Sequence, residues 1–261
     1  MSMDPLAQAR HNSAYYLRKA QAAAQRAEGA TAEELFTLSS CWRSLALCAL
    51  LQDADVDTFA GHLCRSAQAR RVLLELGSRS SVKPQLLCCT RDPGFCAALA
   101  AGHLGLAVDI AARSPTRHFQ GVEYEDDFLF FHFMHRLLLE PEGVNEQTRL
   151  LERWTQVEQG RPSANFEVCV ALNEKAPRAF TAAFELFIDT RREQLQGYTQ
   201  RMGFNPELNA TEGKVFIEGL AVLRLAELQG LPTRPSYDFI PALARVPPGD
   251  RPLSLNAWRG D

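Results

Sequence analysis

Residues Asn209 to Gly230 read N-A-T-E-G-K-V-F-I-E-G-L-A-V-L-R-L-A-E-L-Q-G, and this stretch decides the fold. Asn209 is placed to cap a first turn, with Glu212 three residues on reaching back as in a capping box. Gly230 suits the left-handed position just past a helix, and Pro232 bars continuation. On a 100° wheel Val215, Phe216, Ile217, Leu220, Ala221, Val222, Leu223, Leu225, Ala226 and Leu228 leave no wide polar face. A helix apolar nearly all round is buried in a larger body or in a membrane. Lys214, Glu218, Arg224 and Glu227 interrupt it too often for a span of about twenty apolar residues. The expectation is a central helix wrapped by other helices.

Upstream, the chain supplies those helices. Asp4-Pro5 opens one, with proline tolerated at the first position, and an alanine-rich run carries it to about Ala27 before Gly29. Thr31-Ala32-Glu33-Glu34 is a capping box leading into Leu35, Phe36, Leu38, Cys41, Trp42, Leu45 and Cys48. Asp53 or Asp55 caps a third helix carrying Phe59, Leu63, Leu73 and Leu74, with Gly77 as its stop. Asp92-Pro93 starts a short helix ending near Gly102, and His103-Leu104-Gly105 turns into another reaching about Ala112. Two short antiparallel helices with small residues at the turn form a solenoid-like hairpin. No second copy follows at a fixed period, which argues against a regular repeat array.

Ser114-Pro115-Thr116 is the best candidate for a break between halves. The chain is read as a single domain over 1–261, with its candidate subdivision at 114–122. Beyond it, Phe128 to Leu139 is dense in aromatics and leucine and ends at Pro141 and Gly143. Val144, Leu150, Leu151, Trp154 and Val157 mark an amphipathic helix ended by Gly160. Ser163 caps the next through Phe166, Val168, Val170 and Leu172. Pro177 begins a long one carrying Phe180, Phe184, Phe187 and Ile188. Gly203, Asn205 and Pro206 read as the loop before the central helix. The tail from Pro232 holds six prolines and reads as largely irregular. Alternation of period two is scarce, so the fold class is all-α: an irregular multi-helix bundle.

Composition narrows the chemistry. The 261 residues are 46% hydrophobic and 23% charged, with net charge −3, an ordinary folded balance with nothing in it to attract nucleic-acid phosphates. The seven cysteines, an odd number set in apolar helical stretches, read as buried free thiols. The polar start M-S-M-D-P-L-A-Q-A-R has no leader pattern, and no run reads as transmembrane. Together these give an expected cytoplasmic location with no membrane partner.

No G-x-S-x-G, P-loop, G-x-G-x-x-G or H-E-x-x-H string occurs. His132 and His135, three apart near Asp126 and Asp127, are the nearest approach to a metal-ligand set, but no Glu-x-x-His pair repeats elsewhere. They read as histidines packed or hydrogen-bonded in an aromatic helix, with a metal-dependent helical enzyme as the lesser alternative. Cys88, Cys89 and Cys96 lack a C-x-x-C spacing and read as structural. The expectation is therefore no catalysis, no cofactor and no metal. One charge cluster stands out: Glu123, Glu125, Asp126 and Asp127, beside Tyr124. Acids complement a helix N-terminus, which accounts comfortably for one or two of them. Four within five residues repel one another, and a cationic partner surface would relieve that. Glu123 to Asp127 are therefore the candidate partner-binding residues, with a solvated helix start as the plainer account.

From about Tyr124 to Pro241 the chain resembles the immunity-49 family of bacterial polymorphic-toxin immunity proteins. Tyr124-Glu125-Asp126-Asp127-Phe128 looks like that family's Y-x-D-D segment. Ala179-Phe180, Ala182-Ala183-Phe184 and Arg191-Arg192-Glu193 are similar to its phenylalanine-rich helix and charged turn. Glu218-Gly219-Leu220-Ala221, Leu225-Ala226 and Gly230-Leu231-Pro232 resemble its penultimate helix. Tyr237-Asp238-Phe239-Ile240-Pro241 is similar to its closing Y-x-P, with one residue more before the proline. The resemblance implies a small protein that binds a cognate secreted antibacterial toxin, often a nuclease delivered by type VI or contact-dependent machinery, and occludes its catalytic domain. A helical adaptor or chaperone for a secreted effector, motivated by the Pro93–Ala112 hairpin, is the alternative.

Overall fold

The computed structural model describes residues 4–26, 29–91, 93–160, 163–201, 203–249 and 251–260. Over these the chain is all-α, with twelve helices and no strand. Three long ones come first: α1 Pro5–Ala24, α2 Ala32–Asp53 and α3 Val56–Arg79. Their starts follow local chemistry. Asp4 accepts from the Leu6 and Ala7 amides, and Thr31 and Glu34 close the reciprocal capping box. Asp55, rather than Asp53, caps α3 by accepting from the Thr58 amide. α2 has the length and composition of a membrane span, contrary to the expectation of no such run. It is packed between α1 and α3 with most of its apolar residues buried.

Two ends differ from expectation. α1 stops at Ala24, where Gln25 and Arg26 turn out of the helix; Ala27 lies outside the described residues. α3 runs through Gly77 to Arg79, because the bare glycine lets Leu87 of α4 (Pro84–Leu87) lie against it. A Cβ there would meet Leu87 at 2.7 Å.

After α4 a 3-10 turn, Cys89–Arg91, leads to the short pair α5 (Pro93–Ala100) and α6 (Leu104–Arg113). The start expected at Asp92 lies outside the described residues. The hairpin exists, but α5 is no surface element: Gly94 to Ala100 are all buried, against α3 and α12. Then come α7 (Glu125–Leu139), α8 (Val144–Glu158), α9 (Ala164–Asn173, capped by Ser163) and α10 (Pro177–Thr199). Phe130, Trp154, Phe187 and Phe216 form the aromatic centre of this half, with Phe187 and Phe216 ring centres 4.9 Å apart.

The deciding stretch folds differently at its start. Asn209 caps nothing. Asn205 caps a short α11 (Pro206–Ala210), so the expected loop at Gly203–Pro206 is already turning into helix. The chain breaks at Thr211, and α12 runs only over Ile217–Leu228. The break is tight. The Gly213 amide reaches Leu208 O, and a Cβ on Gly213 would lie 2.4 Å from Asn209 O. The restart is capped from far away, by Phe216 N donating to Phe239 O at 2.8 Å. From Ile217 to Ala226 every residue except Glu218 is buried, and Gly230 takes its positive φ of 76°. Arg224, buried among them, donates to Val246 O and to Glu227.

One apolar core joins residues from Ala46 through Val246, drawn from both sides of 114–122. A second lies between α1, α2 and α3 and is closed by Trp258. The tail is irregular apart from a Tyr237–Ile240 bridge and two 3-10 turns, Ala242–Ala244 and Ala257–Arg259. All seven cysteines are buried. Burial pushes the Cys41 and Cys48 thiols up to about 11, away from nucleophilic use.

Candidate functional site

The members of the acidic run at the start of α7 turn to different neighbours. Glu123 folds back as a clamp: its carboxylate accepts from the amides of Thr90 and Phe119, both at 3.3 Å, and His118 Nε2 donates to its carbonyl at 2.8 Å. Glu125 is held by Arg153 of α8, whose guanidinium reaches it at 2.8 and 2.5 Å. Arg153 also lies over the Phe128 ring. These contacts leave Tyr124, 79% exposed, and Asp126 as the projecting members. Glu125, Asp126 and Asp127 do occupy the helix's first turn, where each favours the macrodipole by about 0.3–1 kcal/mol.

Asp127 turns inward. It lines a cleft of about 240 Å³ with Phe131 of α7, Arg191 of α10, and Glu212, Phe216 and Glu218 around the start of α12. Among the described residues no hydrogen bond or ion pair reaches its carboxylate. Burial, with the charges of Asp126 and Glu123 beside it, pushes the Asp127 carboxyl above its ordinary value. Beneath Glu212 and Glu218 lies Arg43 of α2, buried, donating from Nε to Glu212 at 3.0 Å and from Nη2 to Glu218 at 2.7 Å. Burial works against the Glu218 charge, but Arg43, and Arg191 further off, outweigh it and hold the carboxyl below its ordinary value. Arg191 stacks over Phe216 and donates to Glu212 O at 2.9 Å.

Two further hollows adjoin this cleft through Glu212. One, about 280 Å³, runs toward Arg43, Phe36 and Thr90; the other, about 260 Å³, runs toward Tyr198 and Arg201. The three make a polar trough floored by aromatic rings, beginning one residue from Asp126.

The other sequence candidates, His132 and His135, lie against aromatic rings. His132 stacks on Phe128 with ring centres 5.2 Å apart, and His135 meets Phe95 edge-on at 4.4 Å. They serve different neighbours, and among the described residues no three His, Cys, Asp or Glu converge as a metal would need. Sequence reasoning passed over Arg43, Arg191, Glu212 and Glu218 as a group. An arginine set inside the apolar run Cys41–Leu50 was the available signal, since a buried guanidinium requires carboxylates to meet it.

No family model matches the chain, and neither curated proteins nor solved structures give a match to it.

Proposed function

We propose that this protein is an immunity protein of the immunity-49 kind, which binds a cognate antibacterial toxin domain and blocks it stoichiometrically. The observation that carries the reading is the presentation of Tyr124 and Asp126. An exposed aromatic and an exposed acid stand side by side on a helix start that Glu123 and Arg153 brace from both sides. Tyrosine is among the residues that anchor interfaces, and a pre-braced anchor loses less freedom on binding. A basic toxin surface, such as a nuclease displays toward its substrate, is the complementary partner for the acid. The ordered resemblance from Tyr124 to Pro241 supports the same reading.

The test is co-expression with the toxin encoded beside it. The chain rescues growth and runs with the toxin as one species on size exclusion. Tyr124→Ala with Asp126→Lys abolishes both while the variant keeps its melting temperature. A fully folded double variant that still neutralises the toxin removes this surface from the reading, and wild-type chain that neither binds nor rescues removes the reading itself.

A further inference from the structure

We infer that the cleft behind Asp127 receives an arginine side chain from the protein partner, its guanidinium seating between Asp127 and Glu218 against the Phe131 ring. This rests on the partner-binding reading above and extends its footprint from the exposed helix start into the cleft.

Charge is the first argument. Three carboxylates, Asp127, Glu212 and Glu218, line the cleft against two guanidiniums, Arg43 from below and Arg191 at the side, while Arg201 lines only the farther hollow beside Tyr198. Arg43 is committed, its Nε and Nη2 already holding Glu212 and Glu218. Arg191 is turned to Phe216 and the Glu212 carbonyl. Neither bonds the Asp127 carboxylate, so one half-buried acid is left over. A single added cation balances the set.

Shape gives the second argument. Phe131, half-buried, offers its ring beside those acids, and a planar, weakly hydrated guanidinium stacks on an aromatic ring while forking to a carboxylate. An ammonium is a compact, strongly hydrated point charge and gains less from the same walls. Arg191 on Phe216, at 5.0 Å, shows this mode of contact within the fold itself.

Size gives the third. The three adjoining hollows, about 240, 260 and 280 Å³, follow one another through Glu212, so the depression is long rather than compact. A row of side-chain-sized hollows fits a loop or helix edge laid across it better than one compact molecule.

The experiment uses the full chain with 13C-labelled phenylalanine rings and three probes: acetyl-Gly-Arg-Gly-amide, its citrulline counterpart, which is nearly isosteric but neutral, and its lysine counterpart. The arginine peptide shifts the Phe131 ring signals, the lysine peptide shifts them less at equal concentration, and the citrulline peptide leaves them in place. Asp127→Asn weakens the arginine peptide by about fivefold, the scale of one partly exposed ion pair, and Glu142→Gln, an exposed acid beyond the far end of α7, leaves its affinity unchanged. Absence of any ring shift, equal response to arginine and citrulline, or a stronger response to lysine overturns the proposal. No toxin is present in this titration, so its failure leaves growth rescue to be judged separately, and failed rescue leaves the cleft's preference standing.

Discussion

Arg43 Nη2 lies 2.7 Å from Glu218 Oε1, joining the second helix to the start of the twelfth across 175 residues of chain. The same guanidinium reaches Glu212 from Nε at 3.0 Å. Arg43 is 6% exposed at its side chain, while Glu212 and Glu218 keep 33% and 25%. The arginine has lost nearly all its water, and the acids keep part of theirs.

That asymmetry sets the cost of breaking the pair. Removing one partner of a buried ion pair costs about 3–5 kcal/mol, since the other is left uncompensated. Arg43→Met strands only the two acids, which retain water, so the expected loss is near the lower figure, about 3 kcal/mol. Glu218→Gln in the wild-type background strands the buried cation in part and costs more per charge removed. Urea unfolding of the two variants checks the order, and a loss for Glu218→Gln no larger than that for Arg43→Met would overturn it.

The same contact gives the acid limb of stability its sign. Glu218 titrates below its ordinary value in the folded state, so the folded state binds fewer protons than the unfolded one in that range. Its contribution is present above the unfolded carboxylate value of about 4.3 and is lost as pH falls through the lower folded value. Arg43→Met, which removes the main cause, flattens unfolding free energy against pH below about 4.3.

His62 gives a second pH window higher up. Burial, then the neighbouring Arg65 charge, lowers it to about 4, with Asp55 pulling the other way and Arg10 adding to the depression. Its ring lies 4.8 Å from Trp42, and Arg65 Nη1 sits 3.1 Å from its Nδ1. A depressed histidine stabilises while neutral in both states, and that advantage falls away as pH drops from about 6.5 to 4. His62→Gln removes this slope and leaves the Glu218 limb in place. Urea midpoints from pH 7 to 4 decide it, and an unchanged slope in the variant overturns it.

How much of this was legible depends on how far each contact reaches along the chain. Thr31, Asp55 and Ser163 cap helices through amides three residues away, so their motifs could be read directly. The break before α12 could not, because its cap comes from Phe239 O, more than twenty residues on. Without that bond the capping-box pattern at Asn209 and Glu212 looked sufficient. Glu212 instead turns to Arg43, whose partner no local pattern announces. The acidic run was visible as composition, but its division was not. Glu123 finds the Thr90 and Phe119 amides, Glu125 finds Arg153, and Asp127 finds the cleft only once α7, α10 and α12 have met.

That division makes the acids separable by stability. Glu123→Ala leaves two amides without their acceptor, a loss of about 1–3 kcal/mol, whereas Asp126→Ala and Tyr124→Ala fall within about 0.5 kcal/mol of wild type. Thermal melts of the three single variants check the order. Equal, small effects at all three positions would mean that Glu123 is only another solvated acid.

The tail closes the second core through one residue. Trp258 O accepts from Trp42 Nε1 at 2.8 Å, and Trp258 N donates to Gln68 Oε1 at 2.8 Å. Gln68 Nε2 in turn donates to Ser254 O at 2.8 Å, so the backbone of the strap is pinned at both ends while the indole fills the gap between α2 and α3. Trp258→Ala keeps the backbone bonds and loses the filling, at about 3–5 kcal/mol. For a chain of this size that is roughly 6–20 °C in melting temperature. Deleting 251–261 loses the filling and also leaves the buried Trp42 N–H and the Gln68 amide without partners, so it costs more than Trp258→Ala. If the deletion and the point variant melt together, the backbone bonds contribute nothing, and the strap is held by its indole alone.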